Sequence, residues 1–418
     1  MEQATSFQLF NVYAHGTYTL AIQIGSEAAK ANLILDTGSS TLVVQSEDYN
    51  GCNDRYLAAT PFAQSITYGL GGWYGPVVKS RIKLTCTKQQ SVLLDDVNIA
   101  IAIREHQHGF AKADGILGLA YYKLNKAYDL SAFFQQQKAC QNSYPNIIND
   151  RLAAHSLAEF KQFIKQYPRE YLTPYFTRLK DQGAIANQFA FSVHRSSIYH
   201  PEPNMDDTAL KQEPLNQGEF ILGFPRQRHD LYQGEFKAIK VLDDKYYNVH
   251  VNSIQVAGQA KRQAPLLREI NKRYRSNGII DSGASGIVLP HSLLTQLIQD
   301  LEQHDPSFAP LLEQYLTFEG IEESIPLSEL DLSKWPDIHI EVLGLNTETV
   351  TLTLRPEHYW QCHAPEHNRA SLQFVSLAHW PNQCILGLPI FAPYYVVFDR
   401  RETEFGAIFI ADKRKPKQ

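Results

Sequence analysis

The sequence predicts a mostly-β protein built from two related halves. Short runs of alternating or β-branched residues dominate the chain, and helical periodicity is confined to a few segments. In addition, residues 33–40, LILDTGSS, return in altered form at residues 278–285, GIIDSGAS. Because such a recurrence indicates repeated structure, one copy is expected in each half.

The individual elements follow from these patterns. Alternation or β-branched content predicts strands at residues 18–24, 31–35, 42–45, 92–103 and 350–354. Apolar residues that recur three and four positions apart predict helices at residues 130–138, 151–166 and 293–301. The balance favours a mostly-β architecture.

Composition restricts the possible partners. The 418 residues are 44% hydrophobic and 20% charged, which is enough for two domains with buried cores and excludes a disordered or collagen-like chain. A net charge of −5 offers no positive field to attract nucleic acid or anionic lipid. Polar residues and prolines interrupt the uncharged stretch at residues 370–398, so no membrane-spanning helix is predicted.

The N-terminus and the cysteines favour a cytoplasmic protein. The first residues lack the basic head and apolar block of a secretory signal. The five cysteines are irregularly spaced, and no Asn lies two positions before Ser or Thr. Neither a disulfide framework nor N-glycosylation therefore argues for secretion.

Each repeated motif has a second element downstream. Residues 114–119, DGILGL, follow the first copy, and residues 384–388, CILGL, follow the second. A single Asp-Thr-Gly or Asp-Ser-Gly sequence is most simply a tight turn, since Asp and Gly favour turns. Two copies, each with an apolar-apolar-Gly element expected to pack beside its loop, favour a functional site.

Together these motifs resemble the pepsin family of aspartic proteases, especially its bacterial homologues without signal or pro-segment. Residues 65–69, SITYG, resemble the family's flap, and residues 181–183, DQG, resemble its entry to the interdomain region. Residues 335–338 and 394–399 are similar to its C-terminal strands. The ordered set covers nearly the whole chain.

The resemblance implies a bilobal fold with two homologous β-barrel-like lobes and a central cleft. The lobes are expected at residues 1–190 and 191–418. Because both Asp loops lie in one chain, a monomer is expected rather than the homodimer that single-loop proteases need.

Asp36 and Asp281 are the predicted catalytic residues. Peptide hydrolysis needs one group to take a proton from water and another to give one to the carbonyl oxygen, and two facing carboxyl groups do both. Two carboxylates about 4 Å apart repel by about 4 kcal/mol at an effective dielectric constant of about 20, so one stays protonated. The resemblance implies an acid-active, pepstatin-sensitive endopeptidase that cleaves peptides or proteins without metal or cofactor.

Neighbours of the two aspartates are assigned roles in substrate binding and support. Gly38 and Gly283 let the backbone bring amides close to each carboxylate, and both are expected to bind substrate. The hydroxyl of Ser39 is expected to donate a hydrogen bond to Asp36. The further supporting residues are Thr37 and Ser282.

Ala284 stands where many acid-working members of the family carry Ser or Thr. A hydroxyl there would donate to the ionised carboxylate and favour it at lower pH. Its absence predicts an activity optimum less acidic than that of pepsin.

Tyr68 and Gly69 are expected to bind substrate from a Gly-rich hairpin tip. The alternative is an ordinary hairpin with a packed aromatic residue. The family commonly has a Trp seven residues after the first catalytic Asp, and this chain has Val43. The hairpin is therefore expected to be held differently, with Trp73 as one candidate support.

Phe110 and Ile116 are expected, by resemblance, to line the cleft and to favour apolar side chains beside the cleaved bond. The alternative is ordinary core packing. The insertions at residues 140–175 and 260–276 are expected to be peripheral.

Other interpretations of the sequence are weaker. A non-catalytic peptide-binding or inhibitor protein on the same fold has no need for two intact Asp loops. A sugar- or nucleotide-binding protein lacks support because no phosphate-binding loop precedes a helix. One segment is rich in possible metal ligands: His358, Cys362, His363 and His367. Zinc is not expected there, because the spacing of these residues fits no standard zinc finger.

Overall fold

A computed structural model describes residues 3–67, 71–86, 91–106, 109–137, 144, 156–267, 274–316 and 323–414. The chain divides into two compact units, one formed by Thr19–Ile185 and the other by Met1–Tyr18 together with Ala186–Gln418. The strand at Thr5–Ala14 belongs with the C-terminal unit because it pairs antiparallel with the strand at Gln217–Leu222. None of the helices in the described part of the chain combines the length and the apolar composition that a membrane span requires.

The regular elements up to residue 185 are mostly strands. In chain order the strands are β1 (Thr5–Ala14), β2 (Thr17–Ile24), β3 (Ala29–Asp36), β4 (Leu42–Gln45), β5 (Ala58–Thr67), β6 (Gly72–Thr85), β7 (Ser91–Ala102), β8 (Arg104–His106), β9 (Gly115–Gly118), β10 (Lys126–Asp129) and β11 (Arg169–Tyr171). The helices are α1 (Ser131–Gln136), α2 (Leu157–Ile164) and α3 (Tyr175–Asp181), with 3-10 turns at Gly51–Asn53 and Tyr122–Leu124.

The Thr19–Ile185 unit is organised around a closed ring of strands. Hydrogen bonds join β2, β3, β9, β4, β7 and β6 in that order. The ring is closed because β6 also pairs with β2. The hairpin of β5 and β6 extends from this ring, and β10 and β11 continue the sheet beyond β5. This ring matches the barrel-like lobe expected from the sequence.

The C-terminal unit is also rich in strands. They are β12 (Gln188–Val193), β13 (Gln217–Leu222), β14 (Tyr232–Lys240), β15 (Asn248–Val249), β16 (Val251–Val256), β17 (Arg262–Gln263), β18 (Gly278–Ile280), β19 (Ile287–Val288), β20 (Ile325–Pro326), β21 (Ile338–Leu343), β22 (Thr349–Leu354), β23 (Trp360–Cys362), β24 (Arg369–Leu372), β25 (Phe374–Val375), β26 (Cys384–Leu386), β27 (Tyr394–Asp399) and β28 (Ala407–Lys413). Its helices are α4 (Asp207–Gln212), α5 (His291–His304), α6 (Ala309–Leu312), α7 (Pro356–Tyr359) and α8 (Leu388–Phe391). Its 3-10 turns are Pro214–Asn216, Pro225–Gln227, Pro306–Phe308, Glu313–Leu316, Leu327–Glu329 and Leu332–Lys334.

Several sheets make up this unit. One has the order β1-β13-β12-β27-β28-β14, and a second has the order β15-β18-β26-β19-β25. The others are β17-β16-β21-β22 and β20-β24-β23. Aromatic packing supports the first sheet, where the rings of Phe189 and Phe398 stack with their centroids 4.8 Å apart.

The predicted elements are largely present. The strands expected at residues 18–24, 31–35, 42–45, 92–103 and 350–354 correspond to β2, β3, β4, β7 and β22, with small differences at the ends. The expected helices correspond to α1, α2 and α5. Of the longest one, residues 151–155 lie outside the described residues, and α2 begins after the N-cap Ser156, whose side chain forms a capping box with Glu159. The mostly-β prediction is confirmed.

The expectation that residues 140–175 are peripheral is wrong for the part described. Phe160 and Ile164 of α2 are completely buried, in a cluster with Ala63, Tyr74 and other apolar residues. The Phe160 and Tyr74 rings stack with centroids 4.4 Å apart. This helix therefore completes the hydrophobic core beside the β5–β6 hairpin and is not a surface addition.

Candidate active site

Asp36 is the last residue of β3, where that strand ends beside the parallel strand β9. Residues 33–36 pair in register with residues 115–118. Asp36 is only 7% exposed, and its Oδ1 accepts a hydrogen bond from the Gly38 amide at 2.7 Å. The Leu119 amide donates to the Asp36 carbonyl at 2.7 Å. The end of β9 thus fixes the backbone of the Asp36 loop.

Asp281 occupies the same position in the second copy of the motif. It follows β18, which pairs in parallel with β26, and its amide donates to the Leu386 carbonyl at 3.0 Å. Its Oδ1 accepts a hydrogen bond from the Gly283 amide at 2.8 Å. Asp281 is half-buried, whereas Asp36 is buried. Each aspartate is therefore presented by the same local geometry within its own unit.

The glycine that ends each downstream element allows this close packing. A Cβ atom at Gly118 would lie 2.5 Å from the Cα of Ser40, and one at Gly387 would lie 2.1 Å from the carbonyl oxygen of Gly286. Real Cβ atoms do not approach backbone atoms so closely, so both positions require glycine. The prediction that these elements pack beside the two loops is confirmed.

The expected hydrogen bond from Ser39 to Asp36 is not formed. Across the described ranges, the Ser39 hydroxyl is buried without a hydrogen-bond partner. Ser39 instead stabilises the loop through its backbone, because its carbonyl accepts from the Ala120 amide at 2.7 Å. The other predicted supporting residues, Thr37 and Ser282, are buried.

The residues expected to bind substrate from the hairpin tip or to line the cleft are either outside the described ranges or buried. Tyr68 and Gly69 lie outside the described residues. Phe110 is 0% exposed and Ile116, on β9, is nearly as buried, so both are core residues and the expectation that they line a cleft is wrong. Val43, where the family commonly has Trp, is completely buried on β4 between β7 and β9. The candidate support Trp73 is completely buried on β6.

The ligand-rich segment of the C-terminal unit is held by hydrogen bonds. The His358 Nδ1 accepts from the Arg355 amide at 3.0 Å, and the His363 Nδ1 accepts from the Asn368 amide at 3.4 Å. Across the described ranges, no group of three or more His, Cys, Asp and Glu side chains is arranged to hold a metal ion. The cysteines in those ranges are free thiols: Cys52, Cys86, Cys362 and Cys384.

Carboxylates near the first loop have structural partners. The Oδ2 of Asp114 accepts from the Asn32 amide at 2.6 Å, which ties the turn before β9 to β3. Burial, followed by the negative charges of Asp114 and Glu47, raises the pKa of Asp48. The bond between Asp114 and Asn32 therefore helps to position β3, the strand that carries Asp36.

A buried polar cluster beside the Asp36 loop was not predicted. The Oδ1 of Asn125 accepts from the Thr41 hydroxyl at 3.0 Å and from the Gln64 side-chain amide at 2.8 Å. Gln64 also donates to the Lys126 carbonyl at 2.9 Å. The partners are 84 and 61 residues apart in sequence, so no local signal could have indicated the contact.

Comparison with known proteins identifies the family. The family model described as eukaryotic aspartyl protease matches residues 17–157 and 163–408. The chain is 20% identical over 407 residues to a beta-secretase of Strongylocentrotus purpuratus, an alignment that covers 93% of this chain and 65% of that protein. It is 24% identical over 412 residues to a cathepsin E of Aquarana catesbeiana, covering 94% of this chain and 79% of that protein.

The chain belongs to the pepsin-like aspartyl protease family, since the family model matches most of its length. The matched ranges contain both Asp loops and both downstream elements. The chain spans slightly less than two thirds of the length of that beta-secretase. The resemblance seen in the motifs is therefore confirmed at the level of the family, and the likeness to bacterial homologues stays a prediction.

Proposed function

We propose that this chain is an aspartic endopeptidase in which Asp36 and Asp281 act together to activate a water molecule. The observation that carries this proposal is the repeated loop. In each unit an aspartate stands at the end of an apolar strand, and its Oδ1 accepts from the amide two residues later, at 2.7 Å for Asp36 and 2.8 Å for Asp281. Family membership supports the same activity.

The proposed chemistry uses one shared proton. The ionised carboxylate takes a proton from the attacking water, and the protonated carboxyl donates one to the oxygen of the scissile carbonyl. The Gly38 and Gly283 amides each donate to one oxygen of the carboxylate two residues earlier and so fix the orientation of both groups. A pair that shares one proton is active at acidic pH.

Peptides or proteins are the proposed substrates, with apolar side chains flanking the cleaved bond. Support for the substrate class comes from the family. The apolar preference is supported by the resemblance to the family. Phe110 and Ile116, which were expected to line the cleft, are buried and add no support. Sensitivity to pepstatin is proposed on the same basis.

The test is hydrolysis of casein and of a proteome-derived peptide library at pH about 4, a pH at which such a pair shares one proton. The wild-type protein should cleave both, pepstatin should block cleavage, and Asp36→Asn should be inactive. Mass-spectrometric mapping of the cut sites should show apolar residues on both sides of the cleaved bond. A folded wild-type protein that binds peptides but cuts none would show a non-catalytic binding protein instead.

A further inference from the structure

We propose that Asn125 is a positioning residue of this active site, which holds the Asp36 loop and the β5–β6 hairpin in a fixed relation. The inference rests on the proposed peptidase function and names a residue through which the catalytic loop is held. Asn125 lies between the 3-10 turn at Tyr122–Leu124 and β10. It is 3% exposed.

The contacts of Asn125 join two separate parts of the same unit. On one side is Thr41, the residue before β4, whose carbonyl also accepts from the Gly118 amide at 2.9 Å. On the other side is Gln64 of β5, which pairs with Gly75 of β6. A single carboxamide oxygen therefore binds the loop that follows Asp36 and the hairpin at the same time.

The position of Asn125 is itself fixed by the backbone. Its amide donates to the Tyr122 carbonyl at 3.1 Å, and its carbonyl accepts from the Leu172 amide at 2.9 Å. Directly after it, β10 pairs with β5 at residues 62 and 63. The side chain of Gln64 continues this connection where the strand pairing ends, through its bond to the Lys126 carbonyl.

Burial makes this cluster costly to disrupt. Thr41, Gln64 and Asn125 are all buried, and a buried donor that loses its acceptor is destabilising because water cannot replace the lost hydrogen bond. Without the oxygen of Asn125, Thr41 and Gln64 both lose an acceptor in a region from which water is largely excluded. The least costly response is a shift of the loop or of the hairpin, and either shift would change the position of the hairpin relative to the Asp36 loop.

Helix α2, which lies further along the chain than Asn125, also contacts the hairpin. In α2, Phe160 stacks on Tyr74 of β6, and the Lys161 ammonium donates to the Thr67 hydroxyl at the end of β5 at 2.8 Å. The β4 residue Val43 carries no hydrogen-bonding group that could tie the loop to the hairpin. The Asn125 cluster supplies such a polar link.

The test compares Asn125→Leu and Thr41→Val with Thr60→Val as the matched control. Thr60 is a buried residue of β5 whose hydroxyl donates to the Val77 carbonyl of β6 at 2.5 Å, within the hairpin. We expect Asn125→Leu and Thr41→Val to lower kcat per folded molecule about 10-fold or more, with KM changed less than kcat. Thr60→Val should lose stability but keep kcat within about twofold.

Hydrogen exchange provides a second readout that does not depend on activity. Asn125→Leu should speed amide exchange in residues 37–42 and 62–66 together, whereas Thr60→Val should not change residues 37–42. If the wild type is active and Asn125→Leu has the same kcat and the same amide exchange as the wild type, the positioning role is overturned and the proposed function is not. A wild type that cleaves no peptide would overturn the proposed function, and coupled exchange of the two segments would then decide the structural link by itself.

Discussion

Gly118 lies so close to Ser40 that a Cβ atom at position 118 would be 2.5 Å from the Ser40 Cα. The end of β9 and the loop after Asp36 therefore pack without room for any side chain between them. The same relation recurs at Gly387 and Ala284, where a Cβ would lie 2.4 Å from the Ala284 carbonyl oxygen.

Gly118→Ala should displace the Asp36 loop. We expect a loss of about 1–3 kcal/mol in the free energy of unfolding, because the added methyl overpacks against backbone. Activity per folded molecule should fall as well. Gly258→Ala is the control, since its Cβ meets nothing within 4 Å and the cost comes from a φ of +85°. Urea unfolding measures the stability of each variant, and peptide cleavage measures its activity. Equal activity in the two variants would contradict the role given to Gly118.

Phe160→Ala should destabilise the unit that carries the hairpin. The ring is completely buried and stacks on Tyr74, so a loss of about 3–5 kcal/mol is expected from the lost burial and the cavity. Phe163 is on the same helix and only half-buried, so Phe163→Ala should cost clearly less. Denaturant titration measures both. A Phe160→Ala loss as small as that of an exposed substitution would restore the view that this segment is peripheral.

Stability should fall as the pH is lowered toward 4 because of His194. Burial, followed by the positive charge of Lys413, lowers the pKa of His194 to about 4. The folded protein therefore binds this proton more weakly than the unfolded chain, whose His titrates near 6.5. The contribution is complete above pH about 6.5 and is lost as the pH falls to about 4, a change of about 3 kcal/mol.

Unfolding of His194→Gln at pH 7 and pH 4 measures this contribution. The variant should lose less stability between the two pH values than the wild type. His291→Gln, at an exposed position, serves as the control and should follow the wild type. A wild-type pH dependence that His194→Gln leaves unchanged would exclude the His194 contribution.

Ala284→Thr should move the activity optimum to lower pH. The added hydroxyl lies in the loop of Asp281 and would stabilise the ionised carboxylate, so that this form persists to lower pH. Recording kcat/KM against pH for the variant and the wild type tests the expectation. An optimum that stays in place or moves upward would reject it.

Local patterns were sufficient to predict the presentation of both aspartates. Strand, turn and glycine all lie within a few residues of Asp36 and Asp281, and the downstream elements repeat the order of the first copy. Pairing of β3 with β9 and of β18 with β26 follows from that repetition.

Long-range packing set the features that the sequence did not predict. Whether Phe110 faces a cleft or the core depends on strands far away in the chain, and here the core contains it. The Ser39 hydroxyl is buried because residues 118–120 pack onto its loop. Likewise, the contacts of Asn125 with Thr41 and Gln64 join residues that are 84 and 61 positions apart in the chain.

The most direct test of the catalytic pair is the kcat/KM of Asp36→Asn, Asp281→Asn and the double variant. Asp305→Asn is the matched control, because Asp305 is also half-buried and its Oδ1 accepts from the amide two residues later, at 2.9 Å. Each single variant should lose at least about 1,000-fold, and the double variant little more, since residues that act as a unit are not additive. Asp305→Asn should match the wild type. An Asp281→Asn variant that cleaves peptides as fast as Asp305→Asn would contradict the paired mechanism.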